Sequence, residues 1–86
     1  MDINGHAAIV AGGASGLGAA TARALTAAGG TVAVLDVNMD VAKETAAEIG
    51  GIAIQCDVTD AAGAEAAVNQ AVEAIGTPRV LVNCAG

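Results

Sequence analysis

Residues 7–18 read Ala-Ala-Ile-Val-Ala-Gly-Gly-Ala-Ser-Gly-Leu-Gly: a short apolar run, a glycine-rich turn and the start of a helical pattern. The apolar run Ala7 to Ala11 stops at Gly12-Gly13. From Leu17 to Ala28 the spacing becomes helical, with Leu17, Thr21, Ala24, Leu25 and Ala28 on the expected apolar face. Gly29-Gly30 closes that helix. The same rhythm then repeats. Thr31 to Leu35 reads as a buried strand finishing at Asp36, and Asn38 is placed to cap a second helix in which Val41, Thr45 and Ile49 fall four apart. Gly50-Gly51 ends it, and Ile52 to Gln55 forms a third strand. Thr59 is placed to cap a third helix whose apolar face is Val68, Ala71, Val72 and Ile75, with Gly76 and Pro78 as its stop. Val80-Leu81-Val82 is a fourth strand leading into Asn83-Cys84-Ala85-Gly86.

Strands alternating with helices of this size make βαβ units and a parallel sheet, and the crossovers of such units are right-handed. The expected fold is therefore α/β: a Rossmann-type parallel sheet built as βαβαβαβ, strand order 3-2-1-4, with helices on both faces. Composition agrees with that architecture. Of the 86 residues, 55% are hydrophobic and none is aromatic, so the apolar side chains are small. Small residues suit helices packed closely on a sheet covered on both faces. They suit an independent small domain poorly, because a chain of this length already hides only around two thirds of its unfolded surface. Residues 1–86 are accordingly read as the N-terminal part of one larger domain.

The glycine loop carries the chemistry. At a strand-to-helix turn, Gly12 permits the sharp turn, Gly16 lets backbone approach a pyrophosphate, and Gly18 lets the helix lie close to the sheet. A helix start can hold an anion through its unpaired N–H groups whatever the overall charge of the chain. Asp36, about twenty residues beyond the loop at the end of the second strand, is placed to accept hydrogen bonds from a ribose 2′-hydroxyl and to repel a 2′-phosphate. Neither Ala14 nor Val37 is basic, so NAD is expected over NADP.

These residues together resemble the short-chain dehydrogenase/reductase family, whose glycine pattern is GxxxGxG, here Gly12, Gly16 and Gly18. Cys56-Asp57-Val58 resembles the strand-end aspartate segment that meets the adenine, and Asn83-Cys84-Ala85-Gly86 resembles the family's NNAG segment under the adenosine ribose. Within the family the pattern is most similar to type 2 3-hydroxyacyl-CoA dehydrogenases, which share GGASGLG, LD, DVT and VNCAG. The resemblance implies that Ser15 and Leu17 touch the phosphate and nicotinamide side of the cofactor, that Asp57 and Val58 flank the adenine, and that Cys84 acts mainly through its backbone, beside Ala85 and Gly86. It also implies a homo-oligomer, a tetramer or a dimer, and a small-molecule substrate in the complete protein: a secondary alcohol or ketone, with a 3-hydroxyacyl-CoA or a hydroxysteroid-like alcohol as the first choice. Two departures stand out. Ala11 replaces the usual Thr, and Cys84 replaces the second Asn of the motif.

The family's chemistry uses a Tyr-x-x-x-Lys pair and a Ser. This chain has no Tyr, its one Lys is Lys43 on the second helix, and its one Ser is Ser15 in the glycine loop. No catalytic residues are assigned. The alternatives to the cofactor half of an enzyme are a non-catalytic nucleotide-binding module and an inactive fragment that needs a partner chain.

The other residues exclude several classes. A net charge of −6 argues against nucleic acid and anionic membranes as partners. Residues 1–6 lack the basic and apolar regions of a signal peptide, and no apolar stretch reaches membrane-spanning length, so a cytoplasmic location is expected. There is no CxxC pair, and His6, read as a surface residue, lies far from both cysteines in sequence, so no metal site is expected. Cys56 and Cys84 follow strands separated by two others, which puts them roughly 14 Å apart, beyond disulfide reach. Both read as structural thiols. Arg23, Lys43 and Arg79, like Glu44, Glu48, Glu65 and Glu73, read as solvated positions.

Overall fold

In the computed structural model, which describes residues 3–12, 16–57 and 59–84, strands and helices alternate without exception. The elements are β1 (Ala7–Ala11), α1 (Gly16–Ala27), β2 (Thr31–Asp36), α2 (Met39–Ile49), β3 (Ile52–Gln55), α3 (Ala61–Ile75) and β4 (Pro78–Asn83). The strands form one sheet in the order β3-β2-β1-β4, and every pairing is parallel. Both features match the expectation.

Each central strand sends alternate side chains to opposite faces, and both faces are covered. Ala8, Val10, Val32 and Val34 point to one face, where Ala22 of α1 and Ala42 of α2 close over them. Ile9, Ala11, Ala33, Leu35, Ile54 and Cys56 point to the other, against Ala67 and Ala71 of α3. Ala8, Ile9, Val10, Ala33 and Val34 are wholly buried. A right-handed crossover predicts this split. The chain moves outward from β1 through β2 to β3, then returns past β1 to β4, and α3 must cross on the face opposite α1 and α2.

The α1 face differs from the expected one, whereas on α2 and α3 Thr45 and Ala71 are buried as expected. On α1 the buried residues are Gly18, Ala19 and Ala22, and Leu17 is 71% exposed. On α2 they are Ala42, Thr45 and Ala46, and on α3 Ala67 and Ala71. The larger residues Leu25, Ile49, Val68 and Ile75 pack at the flanks instead. The physical reason is distance. A sheet surface of Val, Ile and Leu leaves room beneath a closely set helix only for Gly, Ala or Thr, so the aliphatic side chains splay to either side.

Helix ends follow local chemistry. Asn38 caps α2, its side chain accepting from the N–H of Val41 at 3.3 Å, and Gly50 ends that helix at φ +69°. The expected cap of α3 is corrected. Asp60 holds the cap position without a side-chain bond, and Thr59 hydrogen-bonds to Asp57. The ionised carboxylate of Asp57 is a strong acceptor, and both donors of Thr59 turn to it. Pro78 also has a second role: it opens β4, opposite Ala7, where a strand start tolerates a residue without an N–H. β4 lies at the edge of the sheet and is only partly covered among the described residues. Val80 and Val82 are half-buried, and Leu81 is 62% exposed.

Candidate dinucleotide-binding site

Because all four strands are parallel, their carboxyl ends fall on one edge of the sheet. The register aligns them: Ala11 pairs with Leu35 on one side and Asn83 on the other, and Asp36 pairs with Gln55. Gly12, Asp36, Asp57, Asn83 and Cys84 are thereby gathered from four separate stretches of sequence. The strand order reverses at β1, with helices leaving to opposite faces on either side, which is where open α/β sheets form their ligand crevice.

Gly12 begins the turn. Its φ of +76° lies in the left-handed region, and its N–H donates to the carbonyl of Leu35 at 2.7 Å, so the turn is anchored to the neighbouring strand. Residues 13–15 lie outside the described residues, and with them the expected contact Ser15. Gly16 opens α1, and a Cβ built there would meet nothing within 4 Å among the described residues. Gly18 is buried toward the sheet, and Leu17 stands exposed beside the loop. The start of α1 therefore lies at the carboxyl edge of the sheet, with no described atom in the way of a Cβ at Gly16.

Asp36 is half-buried at the end of β2. Its Oδ1 accepts from the N–H of Asn38 at 2.9 Å, and its carbonyl accepts from the N–H of Cys56 at 2.9 Å. Gln55 adds a tie that sequence reasoning missed: its Nε2 donates to the carbonyl of Val37 at 3.3 Å, holding the turn that follows Asp36. Asp57 is exposed at the same edge, and Thr59 donates to its Oδ1 through both N–H and hydroxyl, at 2.9 and 2.6 Å. The hydroxyl first and the N–H second hold the Asp57 carboxyl below the usual carboxylate range. The Asp-x-Thr spacing was the available signal for this turn.

Cys84 is held through its backbone: its N–H donates to the carbonyl of Ala11 at 2.8 Å, while its side chain packs against the core on the α1 and α2 face. Cys56 lies in the core on the α3 face, and both thiols are free. Burial first, then the charges of Asp57 and Asp60, push the Cys56 thiol up from its ordinary value. Val58, Ala85 and Gly86, also expected at the site, lie outside the described residues. A feature the sequence did not announce is a cleft of about 200 Å³ between α3 and β4, lined by Ala11, Leu35, Cys56, Ala64, Val68, Leu81 and Asn83. His6 is exposed, and Arg23 pairs with Glu48 at 3.1 Å across the solvated side of α1 and α2. Among the described residues no group of three or more His, Cys, Asp or Glu could hold a metal ion.

The short chain dehydrogenase family matches this sequence over residues 6–86. The chain belongs to that family. It is 39% identical over 98% of its length to a D-threitol dehydrogenase of Mycolicibacterium smegmatis, covering 34% of that protein. It is 47% identical over 95% of its length to a 2,5-dichloro-2,5-cyclohexadiene-1,4-diol dehydrogenase of Sphingobium indicum, covering 35% of it. A solved structure from Brucella melitensis, described as a ribose-5-phosphate isomerase, superposes with a TM-score of 0.93 at 39% identity, over 99% of this chain and 33% of the other. The chain spans about a third of the length of the curated relatives it matches. Cofactors of the NAD(P) kind are general in this short-chain dehydrogenase family.

Proposed function

We infer that this chain is the NAD-binding portion of an oxidoreductase that transfers hydride between NAD and a secondary alcohol or ketone. The observation that carries this reading is the juxtaposition of the left-handed Gly12, φ +76°, at the end of β1 with the start of α1 at Gly16, where a Cβ would meet no described atom, one strand away from Asp36. In this arrangement the N–H groups at the start of α1 hold the pyrophosphate, and Asp36 binds the adenosine ribose and disfavours a 2′-phosphate. Asp57 flanks the adenine, and Asn83 with Cys84 forms the floor beneath the ribose. The remaining expected contacts are Ser15, Leu17, Gly18, Val58, Ala85 and Gly86. Bound here, NAD supplies the hydride acceptor.

Proton transfer to and from the substrate oxygen belongs to residues outside this sequence, since it contains no Tyr and its Lys43 lies on α2. The relatives' names, a threitol and a cyclohexadienediol dehydrogenase, favour a polyol or diol as substrate. The resemblance to type 2 3-hydroxyacyl-CoA dehydrogenases points instead to a 3-hydroxyacyl-CoA. A homo-oligomer in the cytoplasm, without nucleic acid or membrane partners, completes the proposal. No helix among the described residues is long and apolar enough to cross a membrane.

The test is a calorimetric titration of NAD into the full-length gene product and its Gly16→Val variant. Because a side chain at Gly16 meets no described protein atom, the variant is expected to keep its helix content and lose NAD binding. Undiminished affinity in the variant would place the phosphate site elsewhere.

A further inference from the structure

A single peptide unit, Val37–Asn38, joins the end of β2 to the cap of α2, and side chains hold both its ends. The carbonyl of Val37 accepts from Gln55 Nε2 at 3.3 Å, and the N–H of Asn38 donates to Oδ1 of Asp36 at 2.9 Å. The unit is planar and trans, so its carbonyl and N–H point in opposite directions and turn together. Its neighbours are anchored through the backbone. The carbonyl of Asp36 accepts from the N–H of Cys56 at 2.9 Å, and that of Asn38 from the N–H of Ala42 at 3.0 Å. Gln55 reaches Val37 because of its place in the sheet. It is the last residue of β3 and the register partner of Asp36, and since Ile54 points to the α3 face, alternation turns Gln55 to the face where α2 lies. Val37 itself is 64% exposed, so its side chain contributes little packing to the turn.

We propose that Gln55 is a positioning residue for cofactor choice: by holding the Val37 carbonyl it holds the Asn38 N–H on the carboxylate of Asp36, and so sharpens the rejection of a 2′-phosphate. This deepens the NAD-binding reading and rests on it. A phosphate and a carboxylate repel each other, and the repulsion falls as they separate. A peptide unit free to turn would take its N–H off Oδ1, and the carboxylate could then retreat. Held at both ends, the turn keeps the charge in place. The chemistry of the residue suits the task. A glutamine amide donates without carrying a charge. A lysine or arginine at the same position would also donate, but its charge would attract the phosphate and offset Asp36.

The experiment titrates NAD and NADP calorimetrically into the full-length gene product and its Gln55→Met variant, and into the same pair in an Asp36→Ala background. Methionine keeps the length of the side chain and removes the donor. The wild-type protein is expected to prefer NAD by at least about tenfold. Gln55→Met is expected to lower that ratio about threefold, the size of one ordinary hydrogen bond, mainly through tighter binding of NADP. In the Asp36→Ala background the same substitution is expected to leave the ratio unchanged, because its effect travels through Asp36. An equal change for both dinucleotides would make Gln55 a purely structural residue, and a ratio that still shifts without Asp36 would mean that Gln55 acts on the phosphate itself. Either result overturns the proposal. Should Gln55→Met not fold, Gln55→Thr, a strand former too short to reach Val37, carries the comparison. If the wild type prefers NAD and the variant keeps that preference, the positioning role fails while the cofactor reading survives. If the wild type binds NAD and NADP alike, selection by Asp36 fails, and the role of Gln55 with it. If neither dinucleotide binds, the NAD-binding reading falls as well.

Discussion

Cys56 and Cys84 show how much a single strand position decides. The first is buried on the α3 face and the second half-buried on the opposite face, with the sheet between them. A thiol reacts as its thiolate, and burial together with the charges of Asp57 and Asp60 raises the Cys56 pKa, so this residue stays protonated where an ordinary thiol begins to ionise. Iodoacetamide labelling of the folded protein at about pH 8, followed by peptide mass spectrometry, should modify Cys84 before Cys56, by about tenfold in rate. Equal labelling would mean that Cys56 is not held as described. The linkage sign follows from the same shift. A folded-state pKa above the unfolded one gives stability that is present below the unfolded thiol pKa and is lost as pH rises through the folded one. Much of this was legible in the sequence: the strand-end places of Asp36 and Asp57, the cap at Asn38, and the separation of the cysteines. Thr59 was not, because its hydroxyl can accept from a helix N–H or donate to a carboxylate, and the charge on Asp57 favours the second.

At the scale of elements, the strands were readable to within a residue or two and the helix faces only in part, Thr45 and Ala71 being buried as expected and Leu17 exposed. A strand announces itself by a run of β-branched residues, as in Thr31 to Leu35. In α1, rich in Ala and Gly, the hydropathy contrast between faces is slight, so the apolar face was read through Leu17, Ala24 and Ala28. Close packing buries Gly18, Ala19 and Ala22 instead. Ala22→Leu and Ala42→Leu, each at a site with no exposure, should force helix and sheet apart and cost about 1–3 kcal/mol or more in urea denaturation. Leu17→Ala, at a largely exposed site, should change stability by less than about 0.5 kcal/mol. The reverse ranking would restore the face read from periodicity. Gly51 tests the same closeness between α2 and β2. A Cβ there would collide with the carbonyl of Val32, so Gly51→Ala is expected to cost about 1–3 kcal/mol by the same assay.

For the whole molecule, the handedness of the crossovers reaches beyond the last strand. A connection leaving β4 outward runs in the same sense as β3 to β4, so its helix belongs on the α3 face. There the structure leaves the cleft between α3 and β4 and the exposed Leu81. An apolar cleft beside an unpaired strand edge favours association or incomplete folding. The 86-residue chain alone is therefore expected to self-associate, or to melt without cooperativity, in sedimentation and thermal scans beside the full-length gene product. A sharp melt from a monomer would show that β4 needs no further cover. That the carboxyl edge of this sheet is an NAD site is tested most directly by titrating NAD and NADP side by side into the full-length protein. The proposed placement of Asp36 at the 2′ position predicts that NAD binds at least about tenfold more tightly, a difference of about 1.4 kcal/mol or more. Equal affinities, or tighter binding of NADP, would contradict the assignment.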